Sequence, residues 1–140
     1  MQYSTTKNGQ PVRNQKQALK LKQLWLETDT WKRLMSFIID ENIQLKNRIA
    51  EVLKDGVDAS LLEAVEKFHN KSVEGDLFVG LLRNDVAELE KLLTKDMLDD
   101  EKTIRQVETL IIKLRNNIAI AEKQFSKLKL EFNTYLSENI

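Results

Sequence analysis

The single histidine of the chain stands in Glu66-Lys67-Phe68-His69, an E-x-x-H spacing. On a helix, Glu and His three residues apart project to the same side. Two such motifs facing each other across a helical bundle, joined by further glutamates, hold a di-iron centre. One histidine in 140 residues cannot supply the second motif. Phe68 also falls on the apolar periodicity described below, with His69 beside it and Glu66 pointing away. His69 therefore reads as a solvent-facing helix residue rather than a metal ligand.

Other chemistries find no better footing. Cysteine is absent, so disulfides and thiolate nucleophiles are excluded. A Ser–His pair would need His69, and no G-x-S-x-G elbow occurs. Neither a P-loop nor G-x-G-x-x-G is present. The carboxylates are many, but they fall at solvent-type helix positions with no apolar pocket to raise a pKa. The expectation is a protein without catalysis, cofactor or metal.

Charge narrows the partners. With 22 basic and 22 acidic residues, no net field draws in nucleic acid or an acidic membrane. The one basic concentration is N-terminal: Lys7, Arg13, Lys16, Lys20 and Lys22 all precede the first acid, Glu27. Such a segment can touch phosphates, but without interleaved aromatics it also serves as a solubilising arm. Nucleic-acid binding through this segment is the alternative reading, and an unfavoured one. No apolar run approaches the ~20 residues of a membrane span. The first 17 residues, MQYSTTKNGQPVRNQKQ, lack the apolar core of a secretory signal. A cytoplasmic location without membrane contact is expected.

One Pro and four Gly leave little turn punctuation and favour long helices. Residues 1–14, with the only Pro, read as a flexible arm, and 15–140 as a single domain. From there Leu24, Thr28, Trp31, Met35, Ile38, Asn42, Leu45, Ile49 and Val52 alternate steps of four and three, the seam of coiled-coil-like packing. Trp25, Leu34, Ile39 and Leu53 flank it. Gly56 suits a left-handed helix end, and Asp58 or Ser60 can open the next helix, Ser60 with Glu63 forming a capping box.

A second seam runs Leu61, Val65, Phe68, Ser72, Gly75, Val79, Leu82, Val86, Leu89, Leu93. It crosses the loop-like stretch FHNKSVEGDLFVG without losing register, which predicts one continuous helix there. Gly75 lowers helix stability by roughly 1 kcal/mol. Asp99 or Asp100 caps a third helix whose seam is Ile104, Val107, Ile111, Leu114, Ile118, Ala121, Phe125, Leu128, Phe132, Tyr135. The predicted helices cover about 15–55, 58–95 and 100–138. Their matched lengths and short turns predict an all-α, elongated, antiparallel (up-down-up) three-helix bundle with coiled-coil-like packing. In general form this is similar to spectrin-type bundles, a likeness of architecture that carries no function.

Two features of this bundle point beyond the fold. Folding the helices about their turns sets Asn42 beside Ser72 and, on the third helix, Ala121. A buried Asn42–Ser72 polar layer at the waist is therefore expected. A seam Asn of this kind fixes register at some loss of stability. A metal or small-ligand site at the bundle waist is a second alternative, and Gly75 there either lets neighbouring helices approach or makes room for a large residue. Off the seam, Val73, Leu77 and Leu81 follow one another at intervals of four on the outward side of the second helix. A contiguous apolar stripe marks a partner or self-association surface more often than scattered apolars do. Together these predict a helical protein-interaction module, a scaffold, adaptor or cochaperone-like part, binding a protein partner or a second copy.

Overall fold

The computed structural model describes residues 15–56, 58–94 and 100–139. Three α-helices account for nearly all of them: α1 (Gln15–Lys54), α2 (Ala59–Leu93) and α3 (Glu101–Asn139). The expected N-terminal arm, residues 1–14, lies outside the described residues. The 40 residues of α1 reach about 60 Å at 1.5 Å per residue.

Ion pairs between helices give the directions. Lys32 meets Glu90 and Lys46 meets Asp76, so α2 runs against α1. Lys71 reaches Glu131 and Lys113 reaches Asp85, so α3 runs against α2. Glu27 with Arg115 and Glu41 with Lys129 place α3 parallel to α1. The result is an up-down-up bundle. Its closest helix approaches are α1–α2 and α2–α3, and α1 and α3 are the loosest pair.

The helix ends have local causes. Gly56 takes φ 78°, the left-handed conformation that closes α1, and its N–H reaches the Leu53 carbonyl at 3.3 Å. Asp58 is the N-cap of α2: its carboxylate accepts the Leu61 N–H at 2.9 Å and the Ser60 hydroxyl at 2.8 Å. Ser60 already lies inside the helix and supports the cap, so the anticipated Ser60–Glu63 box is not built. Asp100 opens α3, accepting from the Thr103 hydroxyl at 3.2 Å on its carboxylate and from the Ile104 N–H at 3.0 Å on its carbonyl.

The seams face inward, with two corrections. Ile104 is 38% exposed and Thr103 takes the buried place. The Asp100 cap holds the Thr103 hydroxyl and turns the first turn of α3 by one residue from the expected seam. Leu53, expected to flank the core, is exposed in the last turn of α1, where neighbouring helices no longer cover it.

α2 continues without a break through residues 69–76. Val65, Ser72 and Val79 are buried on either side of Gly75 and hold that stretch against the other helices. The apolar interior forms two clusters. The longer runs from Trp31 and Met35 through Val79 and Leu89 to Ile111 and Ala121. The shorter groups Leu45, Ile49, Val65, Leu128 and Phe132. In the shorter one Phe68 packs edge-on against Phe132, ring centroids 5.2 Å apart, and Arg48 lies over the Phe132 ring. Between the two clusters, on α1 and α2, stands Asn42 with Ser72.

Candidate functional site: the two faces of α2 at the bundle waist

Asn42 and Ser72 are brought together and are both buried, 2% and 0% exposed. The Ser72 hydroxyl donates to Asn42 Oδ1 at 2.7 Å. Asn42 Nδ2 donates to the Ser72 carbonyl at 2.9 Å and to Asp76 Oδ1 at 2.6 Å. Lys46 Nζ donates to the other oxygen of Asp76. Every buried side-chain N or O among the described residues has a hydrogen-bond partner. A buried amide left unpaired would destabilise the fold by about 1–3 kcal/mol; here the amide's oxygen and nitrogen are both engaged.

Asp76 and Lys46 were not anticipated in this layer. The signal was present: Asp76 lies one turn after Ser72 and Lys46 one turn after Asn42, and i, i+4 residues share a helical side. Ala121 does not join the layer. Phe68 packs on Phe132, so one turn away in each antiparallel helix Ser72 lies level with Leu128. Ala121 lies almost two turns further toward the long cluster. The aromatic pair fixes how far α3 slides along α2, and turn lengths alone placed it wrongly.

Ala121 instead lines an open cleft of about 520 Å³ between α2 and α3. Gly75, Phe78, Val79 and Phe125 contribute to its walls and Asn42 reaches its floor. A Cβ at Gly75 would meet nothing within 4 Å. The small residues therefore open space rather than letting helices touch.

The opposite side of α2 is apolar and exposed: Val73 38%, Leu77 67% and Leu81 64%. None of the three belongs to either core cluster. A further apolar opening lies between the loosely paired α1 and α3, where Phe37 and Leu130 line a cleft of about 430 Å³.

The histidine stays apart from all of this. His69 and Glu66 are both exposed, and no group of three or more His, Cys, Asp or Glu among the described residues is arranged to hold a metal ion. Of the basic N-terminal segment, Lys7 and Arg13 lie outside the described residues, while Lys20 and Lys22 are exposed on α1. No helix among the described residues is long and apolar enough to cross a membrane.

The perturbed titrations belong to structural contacts. A hydrogen bond from Lys32 to Glu90 raises the lysine pKa. Arg115 is raised by its two 2.8 Å bonds to the Glu27 carboxylate. Asp58 is lowered by the Leu61 N–H and then the Ser60 hydroxyl. None of these groups lines the waist cleft or the stripe.

Compared with protein-family models, with curated proteins and with solved structures, the chain matches none.

Proposed function

We propose that the protein is a non-enzymatic helical interaction module that binds another protein surface through the outward face of α2. The supporting observation is the uninterrupted exposure of Val73, Leu77 and Leu81 on a helix whose inner face already packs against both neighbours. Burying a Leu side chain from water contributes roughly 1.5–3 kcal/mol. A helical groove or a second helix would gain part of that from each position of the stripe, most from Leu77 and Leu81, as in helix-in-groove recognition. Among the described residues, no group of three or more His, Cys, Asp or Glu is arranged to hold a metal ion.

Affinity capture from the native cell, with the Leu77→Lys/Leu81→Lys variant as control, tests it. The stripe is expected to retain a protein that the variant loses. Equal retention by both chains removes the assignment.

A second reading attaches to the waist cleft. Its volume, about 520 Å³, falls within the ~300–1,000 Å³ of small-molecule sites, and Phe78, Val79 and Phe125 offer an apolar surface beside Lys71, Glu74, Lys127 and Glu131. An apolar fluorescent dye should then bind the native chain and be displaced by Gly75→Leu, whose side chain would fill the space. Dye binding that ignores the substitution contradicts this reading.

A further inference from the structure

The outward face of α2 has an internal symmetry. About Leu77, Val73 and Leu81 lie four residues to either side, and Asn70 and Asn84 seven residues. Glu63 and Lys91 lie fourteen residues out, with opposite charge. All seven are exposed. These spacings keep them within about one third of the helix circumference at 3.6 residues per turn. Read in either direction, the face runs charge, amide, apolar centre, amide, charge.

Such a face is complementary to itself when turned end for end. We propose that a second copy of this chain is the occupant of the α2 face, in an antiparallel α2–α2 contact with Leu77 on the two-fold axis. The proposal rests on the interaction reading above and names its partner. A two-fold interface uses the same patch on both subunits, so a residue and its mirror position must suit one another.

The apolar, amide and Glu63–Lys91 pairs meet that condition. Leu77 meets Leu77, and Val73 meets Leu81 of the second copy. Asn70 meets Asn84, two amides that can donate to and accept from each other. Glu63 meets Lys91, which gives two ion pairs per dimer. Glu66 faces Glu88 of the second copy, an unfavourable pair. Lys91 of that copy, one turn beyond its Glu88, faces Glu63 and lies one turn from Glu66, which offsets part of the repulsion. Gly80 beside the stripe has open space where a Cβ would stand, so the backbones can come close. A parallel arrangement would instead place Glu63 on Glu63 and Lys91 on Lys91.

A contact along one helix pair falls at the small end of the interface range. The dimer should therefore form at high protein concentration and dissociate on dilution. Sedimentation velocity over a concentration series reads this directly. Leu77→Lys should be monomeric throughout, with an unchanged helical circular-dichroism spectrum as the check that it folds. Lys91→Glu should weaken the dimer by about 2- to 30-fold, because it breaks both pairs and exposed pairs contribute about 0.2–1 kcal/mol each. Adding Glu63→Lys to it should restore the dimer, since the swapped charges meet again.

The absence of cysteine makes geometry testable as well. Under mild oxidation Leu77→Cys should cross-link to a dimer, and Leu130→Cys, equally exposed at 67% but on α3, should not. A wild-type chain that stays monomeric at millimolar concentration overturns the self-association. If Leu77→Lys still abolishes capture of another protein, the interaction reading survives that result. A dimer that persists in Leu77→Lys, or cross-links only through Leu130→Cys, overturns the α2–α2 contact.

Discussion

Ser72 and Leu77 are five residues apart on α2 and face opposite ways. Ser72, with Asp76 after it, meets the interior; Leu77, between Val73 and Leu81, meets water. Around the middle of this helix the ordinary distribution, apolar inside and polar outside, is exchanged. The inner polar groups are complete, since Asn42, Ser72, Asp76 and Lys46 satisfy one another. The outer apolar groups are left partly open, with Leu77 and Leu81 about two-thirds exposed among the described residues. A closed polar layer gives position, because the bonds form in one register only. An open apolar stripe gives free energy that folding does not use. The difference separates what holds the bundle in line from the surface proposed for a partner.

The sharpest test of that separation uses neighbours in sequence. Leu82 is 1% exposed and packs in the long core cluster, while Leu81 is 64% exposed. Leu82→Ala should destabilise the fold by about 2–5 kcal/mol, the usual range for a buried Leu. Leu81→Ala should stay within about 0.5 kcal/mol. Chemical denaturation of the two variants checks this, and similar losses from both would erase the distinction between faces.

The next largest effect concerns the polar layer. Asn42→Ala removes the partner of the Ser72 hydroxyl and one partner of Asp76. It should lower stability by about 1–3 kcal/mol. Leu at position 42 combined with Ala at position 72 removes both members and should recover part of that loss, leaving the bundle less tightly held in one register. Thermal melts, with hydrogen exchange near the waist, would show both changes. A single Ala substitution with no effect would mean that the layer is solvated rather than closed.

Gly75 lies on the inward seam of α2, in the wall of the open cleft. Its place in a helix and the open space around it predict that Gly75→Ala stabilises by up to about 1 kcal/mol. A drop in melting temperature would show that close helix contact, and not an open cleft, selects glycine there.

The smallest effect is at the start of α2. The carboxylate of Asp58 is held below its ordinary range by the Leu61 N–H and the Ser60 hydroxyl. Its folded pKa is below the unfolded one, so its stabilising contribution is present above the ordinary aspartate range. That contribution is lost as pH falls through the lowered value. Asp58→Ala should therefore melt slightly below wild type at neutral pH and level with it at strongly acid pH. Both faces of α2 should be untouched. A gap that grows on acidification would contradict this account of the cap.

Much of this arrangement was legible because a single pattern carries it. Steps of four and three through Phe68, Ser72, Gly75 and Val79 kept α2 continuous where composition suggested a loop. The same register placed Val73, Leu77 and Leu81 outside. Less legible was whatever depends on contacts between helices. Asp76 looks like a surface carboxylate until Asn42 and Lys46 are known to face it. The level of α3 is set by Phe68 against Phe132, a match of shapes that periodicity does not encode. Thr103 replaces Ile104 inside because Asp100 holds its hydroxyl, a cap effect stronger than the apolar preference of one residue.

The claim that the stripe on α2 is reserved for association and is not needed by the fold has one direct measurement. It is the melting temperature of wild type and of Leu77→Lys across a range of protein concentrations. A species that binds the native state makes melting concentration-dependent. The account predicts that wild type melts higher as concentration rises, while the variant melts at one temperature equal to that of dilute wild type. A variant that melts far below dilute wild type, as Leu82→Ala should, would contradict it by showing that Leu77 belongs to the core.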